Sequence, residues 1–109
     1  MKGFIGEFEE LVLLTIATLG SEAYGVAIKD SIESRANRTI SIGALHSTIS
    51  RLEDKGYIIS HLGGATAERG GRRKRFFELT LDAKEALKAI KTLREGLWKE
   101  SKIDLGFSK

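Results

Sequence analysis

The sequence predicts a mainly helical domain with one β-hairpin, in the order helix, helix, helix, hairpin, helix. Four segments place apolar residues at three- and four-residue steps, which is the spacing of one face of an α-helix. Two β-prone runs, separated by a glycine-rich stretch, lie between the third and fourth of these segments. The chain has 109 residues without proline or cysteine, so we expect one domain with a modest core and no disulfide framework.

The first two helices are predicted over residues 6–19 and 24–36. Three glutamates begin the first segment, where the helix dipole favours negative charge, and Gly20 is a suitable stop. The apolar stripe of this segment is widened by Leu14, so we expect the first helix to be largely buried. The second helix is predicted to end at Asn37.

A third helix is predicted from Ile42 to Lys55, with Ser41 as its N-cap and Gly56 closing it. One face of this helix belongs to the core and carries Leu45, Ile49 and Leu52. The other face is polar and carries His46, Ser47, Ser50, Arg51 and Asp54. Small hydroxyls can bond to phosphates or base edges, and an arginine can reach a phosphate or a guanine, although such a face is also common on an ordinary solvated helix.

Two strands are predicted at residues 57–62 and 73–79, and a glycine-rich loop from Gly63 to Arg72 joins them into a hairpin. Thr80 is then the N-cap candidate of a long final helix over residues 81–101. The apolar residues of this last segment recur at three- and four-residue steps and are Ala83, Leu87, Ile90, Leu93 and Leu97.

Positive charge is concentrated in the hairpin. Residues 69–75 read Arg-Gly-Gly-Arg-Arg-Lys-Arg, with five cations in seven positions, whereas residues 1–62 carry six Lys and Arg against eight Asp and Glu. Unpaired cations are almost never fully buried, so this segment must project into solvent. A polyphosphate backbone is the commonest partner of such a patch, and the two glycines allow a close approach of the main chain to it. The alternative is a solvated loop whose charges only keep the protein in solution.

Three helices followed by a two-stranded ribbon is the order of a winged helix-turn-helix domain. In that arrangement the third helix enters the DNA major groove and the ribbon, or wing, lies along the backbone. The cations that could neutralise phosphates are Arg69, Arg72, Arg73, Lys74 and Arg75. We therefore divide the chain into a DNA-binding domain over residues 1–80 and a dimerisation helix with its tail over residues 81–109.

The final helix has little else to pack on in a single domain of this length, so we expect it to pair with a second copy in a two-fold dimer. The predicted contacts are Leu87, Ile90, Leu93, Leu97 and Trp98. The helix could instead lie on a membrane, but Glu85, Glu95 and Glu100 interrupt its positive face. Trp98 is either an anchor of the dimer interface or a ring that lines a ligand pocket between subunits.

The sequence argues against an enzyme, a metal site or a cofactor. His46 and His61 have no metal-ligand partner at a recognised spacing and no matched nucleophile. The glycines are followed by a strand pattern without a Gly-Lys-Ser/Thr motif, so they do not form a nucleotide-binding loop. No apolar run approaches the length of a membrane span and no secretion signal begins the chain, so we expect a cytoplasmic protein.

Four phrases of the sequence resemble the PadR family of transcriptional regulators, in its small subgroup with a single C-terminal helix. They are FEELVLLTIATLG (8–20), EAYGVAIKDSIE (22–33), SIGALHSTISRLEDKGYI (41–58) and ERGGRRKRFFELT (68–80). The resemblance implies a winged-helix repressor that dimerises through its last helix and binds operator DNA. By motif match it adds Ser41, Gly43 and Ala44 to the recognition helix and places Gly70 and Gly71 on the wing.

The chain departs from the family pattern at three positions. His46 stands where the family usually has tyrosine, and Ala83 stands where glycine is common. Some family members bind aromatic drugs or phenolic acids, and in the multidrug-binding members a tryptophan of the last helix aligns nearer Arg94 than Trp98. A small aromatic effector at the dimer interface therefore stays an open alternative.

The sequence predicts a DNA-binding transcriptional regulator, a repressor by resemblance, that binds a pseudo-palindromic operator as a homodimer. Two alternatives remain. The fold could serve as a ligand-sequestering or protein-interaction module without operator binding, or as an architectural DNA binder with little sequence preference, for which specific and random duplexes would bind within about tenfold.

Overall fold

The computed structural model describes residues 4–63, 73–104 and 106. The elements, in chain order, are α1 (Glu7–Leu19), a short 3-10 turn (Gly20–Glu22), α2 (Gly25–Ala36), α3 (Ile42–Asp54), β1 (Ile58–Leu62), β2 (Arg75–Leu79) and α4 (Leu81–Ser101). The predicted class, mainly helical with one hairpin and a long last helix, is confirmed, and the three-helix and hairpin arrangement is that of a winged helix-turn-helix domain.

The core lies where the apolar faces of α1, α2 and α3 meet. The largest fully buried side chains come from all three helices and are Val12, Leu13, Ile28, Ile32, Leu45 and Leu52. Tyr57, Ile58 and Phe77 close this core from the hairpin side. Burial of these side chains fixes which face of α3 is left to the solvent.

The hairpin is antiparallel and is tied to the start of α2. Ile58 pairs with Leu79 and Leu62 pairs with Arg75 at its two ends. Tyr24 forms an isolated antiparallel bridge with Phe76, and the Phe77 N–H donates to the carbonyl of Ala23 over 2.9 Å. The base of the wing is therefore held against the α2 N-terminus as well as against its own partner strand.

Both strands begin later than the sequence predicts. The first starts at Ile58 instead of Tyr57, because the Tyr57 N–H donates to the Leu52 carbonyl and closes the turn after α3. The second starts at Arg75 instead of Arg73. Of the predicted loop, residues 64–72 lie outside the described residues.

Leu14 is a second departure, because it is exposed although its helix was expected to be largely buried. It lies beside α4, where it lines a groove with Leu87 and Trp98. The apolar stripe of α1 therefore serves two surfaces, the core and the groove toward α4.

Two polar caps and two left-handed residues set the helix ends. The Ser41 hydroxyl accepts from the Ala44 N–H over 3.0 Å, and the Thr80 hydroxyl accepts from the Ala83 N–H over 3.2 Å, as their N-cap positions predict. Asn37 ends α2 with φ 54°, and Gly56 follows the end of α3 with φ 79°. The Gly56 conformation favours glycine because a side chain is strained there.

The last helix projects from the body of the domain. Ala83 is its one buried residue among those described, and every described residue from 91 onward is exposed. The radius of gyration is 16.3 Å, against about 13 Å for a compact domain of this length. The described residues contain no helix that is long and apolar enough to cross a membrane.

Candidate nucleic-acid interface

The face of α3 that the core leaves open carries most of the residues predicted for DNA contact. On the opposite face, Leu45 and Leu52 are fully buried, and their burial determines which side of α3 faces the solvent. The predicted residues Ser41, Gly43, Ala44, His46, Ser47, Ser50 and Arg51 are all exposed. Ser41 also caps the helix, and its hydroxyl proton remains available for donation because the cap uses only an oxygen lone pair.

A cleft brings this face together with the base of the wing. It has a volume of about 690 Å³ and is bounded by the start of α2, by α3 and by the hairpin. His46 and Ser50 line it from α3, and Lys74 and Arg75 line it from the wing. Two parts of the sequence that were predicted separately to contact DNA therefore border one concave surface.

The cations at the wing base have defined positions. The Lys74 ammonium lies 3.7 Å from the centroid of the Tyr24 ring, which is a cation–π contact. Tyr24 in turn packs edge-on against Phe76, and Arg75 donates to the Ser60 hydroxyl over 2.8 Å. These contacts fix one side of the cleft before any ligand arrives.

Of the predicted wing residues, Arg73 and Lys74 are described by the structure. Arg73 is exposed and Lys74 is half-buried at the edge of the cleft. Arg69, Gly70, Gly71 and Arg72 lie outside the described residues, so their contact with DNA stays a prediction.

Arg51 differs from the other predicted contacts because it already has protein partners. Its Nε lies 3.3 Å from Glu9 Oε2, and its Nη2 donates to the Thr48 hydroxyl over 3.1 Å. The Arg51 side chain is nevertheless more than half exposed. It can reach a phosphate only by sharing or leaving the Glu9 carboxylate.

Glu9 is a buried carboxylate that joins the start of α1 to the end of α3. It accepts from the Gly6 N–H over 2.9 Å and from the Lys55 ammonium over 2.9 and 3.0 Å. Burial raises the pKa of Glu9, but the hydrogen bonds from Gly6, Lys55 and Arg51 outweigh burial and hold its pKa below the usual value. The carboxylate therefore stays ionised and fixes the C-terminal end of α3.

The turn between α2 and α3 is held in a similar way. Glu33 accepts from the Ile40 N–H over 3.0 Å and from the Lys29 ammonium over 3.3 Å. The hydrogen bond from Ile40 and the bond from Lys29 lower the pKa of Glu33. This carboxylate sets the approach of the chain to Ser41 and hence the start of α3.

The residues predicted for dimerisation form a second surface, on α4. Leu87 and Ile90 are half-buried, whereas Leu93, Leu97 and Trp98 are exposed by 62%, 59% and 53%. Arg94 lies among them and pairs with Glu10 of α1 over 3.2 Å. In the position nearest to the tryptophan of the multidrug-binding members, this chain therefore has a cation that is bound to its own first helix.

The sequence matches the model of one known protein family. The family model described as the Transcriptional regulator PadR-like family matches residues 12–89, which span α1 to α4. The chain belongs to the PadR-like family. Among curated proteins, none matches this sequence.

Solved structures of transcriptional regulators share this fold. A transcriptional regulator from Clostridium thermocellum is 25% identical in sequence and superimposes with a TM-score of 0.66. The alignment covers 85% of this chain and 86% of that regulator. A PadR family transcription regulator from Clostridium difficile is 20% identical, with coverages of 84% and 92% and a TM-score of 0.66. A PadR family transcriptional regulator from Eggerthella lenta is 22% identical, with coverages of 90% and 88% and a TM-score of 0.61.

PadR-like proteins are transcription regulators and not enzymes. Within residues 4–63, 73–104 and 106, no group of three or more His, Cys, Asp or Glu side chains is placed to hold a metal ion.

Several residues that line the cleft of this PadR-like regulator were missed in the sequence. Tyr24, Gly25, Val26 and Ile42 border it from the starts of α2 and α3. The sequence misleads at Ile42, because it lies three, seven and ten residues before Leu45, Ile49 and Leu52 and so is in step with the core positions, yet it is 44% exposed. The other three became neighbours of α3 through tertiary packing.

Proposed function

We propose that this PadR-like regulator binds a pseudo-palindromic operator as a homodimer and represses transcription from promoters that the operator overlaps. Residues 1–80 supply the DNA contacts and residues 81–109 supply the dimer. The observation that carries the proposal is the single cleft that borders both the polar face of α3 and the cations of the wing base.

The chemistry of that cleft suits duplex DNA. Ser50 offers a hydroxyl to base edges or phosphates, and Lys74 and Arg75 line the same cleft with positive charge. Ser47 offers a second hydroxyl on the exposed face of α3, outside the lining of the cleft. The cations are oriented by protein contacts, so little ordering is needed when a phosphate binds. In this arrangement α3 lies in the major groove and the wing follows the backbone.

The dimer is supported by the exposed stripe on α4. Leu97 and Trp98 expose more than half of their surface on a helix of 21 residues that projects from the body of the domain. A second copy would bury this stripe and place two α3 helices on one side of the DNA. Half-sites would then lie about one helical turn apart, roughly 34 Å.

The proposal is tested by measuring affinity at several salt concentrations for two duplexes. One is recovered from a randomised library by the full-length protein, and the other is its scrambled counterpart. Arg73→Ala and Ser47→Ala are compared with Arg35→Ala and Ser34→Ala, which change exposed residues of the same types near the end of α2, outside both the wing and the polar face of α3.

Arg73→Ala should weaken both duplexes by a similar factor, because a phosphate contact carries no sequence information. About three wing contacts per monomer contribute roughly −2.7 to the slope of log affinity against log salt, or roughly −5.4 for the dimer, and Arg73→Ala, which removes one contact from each monomer, should flatten the slope by about 1.8. Ser47→Ala should instead lower the preference for the selected duplex by about two- to tenfold. The Arg35 and Ser34 variants should behave as wild type.

Other outcomes point to the alternative functions. If no duplex is enriched and no binding depends on salt, the fold serves as a sequestering or protein-interaction module. If the selected and scrambled duplexes bind within about tenfold of each other, the protein is an architectural binder. Equal salt slopes for the wild type and Arg73→Ala would remove this wing residue from the mechanism.

A further inference from the structure

Two aliphatic side chains are exposed in the cleft of the candidate interface. Val26 is 60% exposed at the start of α2, and Ile42 is 44% exposed at the first position of α3. Both line the same cleft as Lys74 and Arg75. Single exposed aliphatics are common on protein surfaces, but this pair shares one concavity with the cations that the proposed function assigns to DNA.

The position of Ile42 directs it toward bases. In helix-turn-helix domains the N-terminal residues of the recognition helix contact base edges. The two residues that follow Ile42 are small: Gly43 and Ala44 are both exposed, and a Cβ built on Gly43 would meet no atom within 4 Å. Among residues 42–44, Ile42 therefore has the largest side chain, and it is apolar.

The major groove offers an apolar side chain one distinctive partner. Each base pair presents hydrogen-bond donors and acceptors there, and only thymine adds a methyl group, at C5. A hydroxyl such as that of Ser47 can be satisfied by several base edges, whereas an isoleucine gains most by covering a methyl group.

We propose that Ile42, flanked by Val26, contacts the C5-methyl group of a thymine in each half-site of the operator. The inference rests on the proposed function, because it assigns a base preference within the same DNA-contacting surface. Ile42 thereby becomes a specificity-determining residue, and Val26 supplies the second apolar wall of the cleft.

The size of the effect follows from the burial of one methyl group. Transfer of such a group from water changes affinity by about fourfold, so two symmetric half-sites give about fifteenfold for the dimer. In each half-site, this change in affinity is smaller than the change caused by losing a bidentate hydrogen bond to a base. It is expected only where the methyl group of a thymine is removed.

The test replaces thymine by deoxyuridine, which removes the methyl group and keeps base pairing. The probe is the duplex recovered from a randomised library by the full-length protein, with symmetric thymine pairs replaced one pair at a time. Affinities are measured for the wild type, Ile42→Ala and Val26→Ala. Ile59→Ala is the matched control, since Ile59 is an aliphatic residue of similar exposure on β1 that does not line the cleft.

We expect one symmetric thymine pair whose replacement weakens wild-type binding by about fifteenfold. Ile42→Ala should bind both forms of that duplex equally, Val26→Ala should reduce the difference, and Ile59→Ala should retain it. Because Ile42 is exposed, its replacement should leave folding intact.

The inference is overturned if the selected duplex binds specifically but no thymine replacement affects binding, or if Ile42→Ala retains the full methyl dependence. Failure of the proposed function looks different, because no duplex would then be enriched over its scrambled form. That result would remove the surface on which the inference depends and would overturn it as well.

Discussion

At the scale of single residues, Glu9 connects the start of α1 with the recognition helix. Its carboxylate binds the Gly6 N–H, the Lys55 ammonium and the Arg51 guanidinium while its side chain is only 7% exposed. A buried carboxylate is costly unless it is paired, and here three donors from two elements pair it. The position of the C-terminal end of α3 thus depends on a charge forty-two residues before Arg51.

We expect Glu9→Gln to lower the free energy of unfolding at pH 7 by about 1–3 kcal/mol, because it weakens hydrogen bonds to charged donors. The pKa of Glu9 is lower in the folded chain than in the unfolded chain. Its contribution is therefore complete above the unfolded value, about 4.3, and is lost as the pH falls through the folded value. Urea unfolding of both proteins from pH 7 to pH 3 should show the difference shrinking on the acid side.

Glu7→Gln is the matched control. Glu7 is an exposed carboxylate of the same helix and pairs with Arg38 over 3.2 Å on the surface, so its loss should cost less than about 0.5 kcal/mol. A Glu9→Gln effect that stays constant from pH 7 to pH 3 would contradict the role of the ionised carboxylate.

At the scale of elements, Thr80 joins the wing and α4 to the turn after α3. Its hydroxyl donates to the Gly56 carbonyl over 2.8 Å and caps Ala83, and its N–H donates to the Tyr57 carbonyl. The proposed dimerisation helix is therefore anchored beside the end of the recognition helix. A displacement of α4 can therefore be transmitted directly to the end of α3.

We expect Thr80→Val to lower the unfolding free energy by about 1–2 kcal/mol, because it removes a helix cap and leaves the Gly56 carbonyl without this donor. Thr18→Val tests whether the loss of any threonine hydroxyl has this effect. Within the described part of the chain, the Thr18 hydroxyl donates only to the Leu14 carbonyl of its own helix, so its replacement should cost less than about 0.5 kcal/mol. Equal losses in urea unfolding would contradict the anchoring role of Thr80.

The exposed stripe of α4 gives a prediction about assembly. Leu97→Asp should shift the protein from dimer to monomer at concentrations where the wild type is dimeric, because it would bury an unpaired charge in the interface. Thr92→Asp introduces the same charge on the opposite face of α4, since five residues separate them at about 100° per residue. Sedimentation equilibrium should find this variant dimeric, and a dimeric Leu97→Asp would contradict the assigned interface.

The elements themselves were largely predictable, for local reasons. Thr80 and a stripe of three- and four-residue steps predicted α4 with the bounds that the structure shows, and Ser41 and Gly56 enclosed α3. The start of β1 was wrong because Tyr57 uses its N–H to close a turn, which depends on the helix before it. The exposure of Leu14 was missed because it depends on where α4 projects.

At the scale of the whole molecule, the candidate interface consists of residues that are distant in the chain. The sequence predicted the polar face of α3 and the cations of the wing, because each is a local pattern. It did not place Tyr24 beneath Lys74 or Glu9 beside Arg51, since both contacts depend on tertiary packing. The cleft between α2, α3 and the hairpin could therefore be identified only in the structure.

In the proposed complex, one dimer presents two such clefts to one duplex. The most direct test is the affinity for the selected duplex after insertion of about five base pairs between its half-sites, which turns them to opposite faces of the DNA. A rigid dimer should lose at least about tenfold, and an insertion of about ten base pairs should not restore full affinity because the span is then too long. Unchanged binding after the five-base-pair insertion would contradict the account.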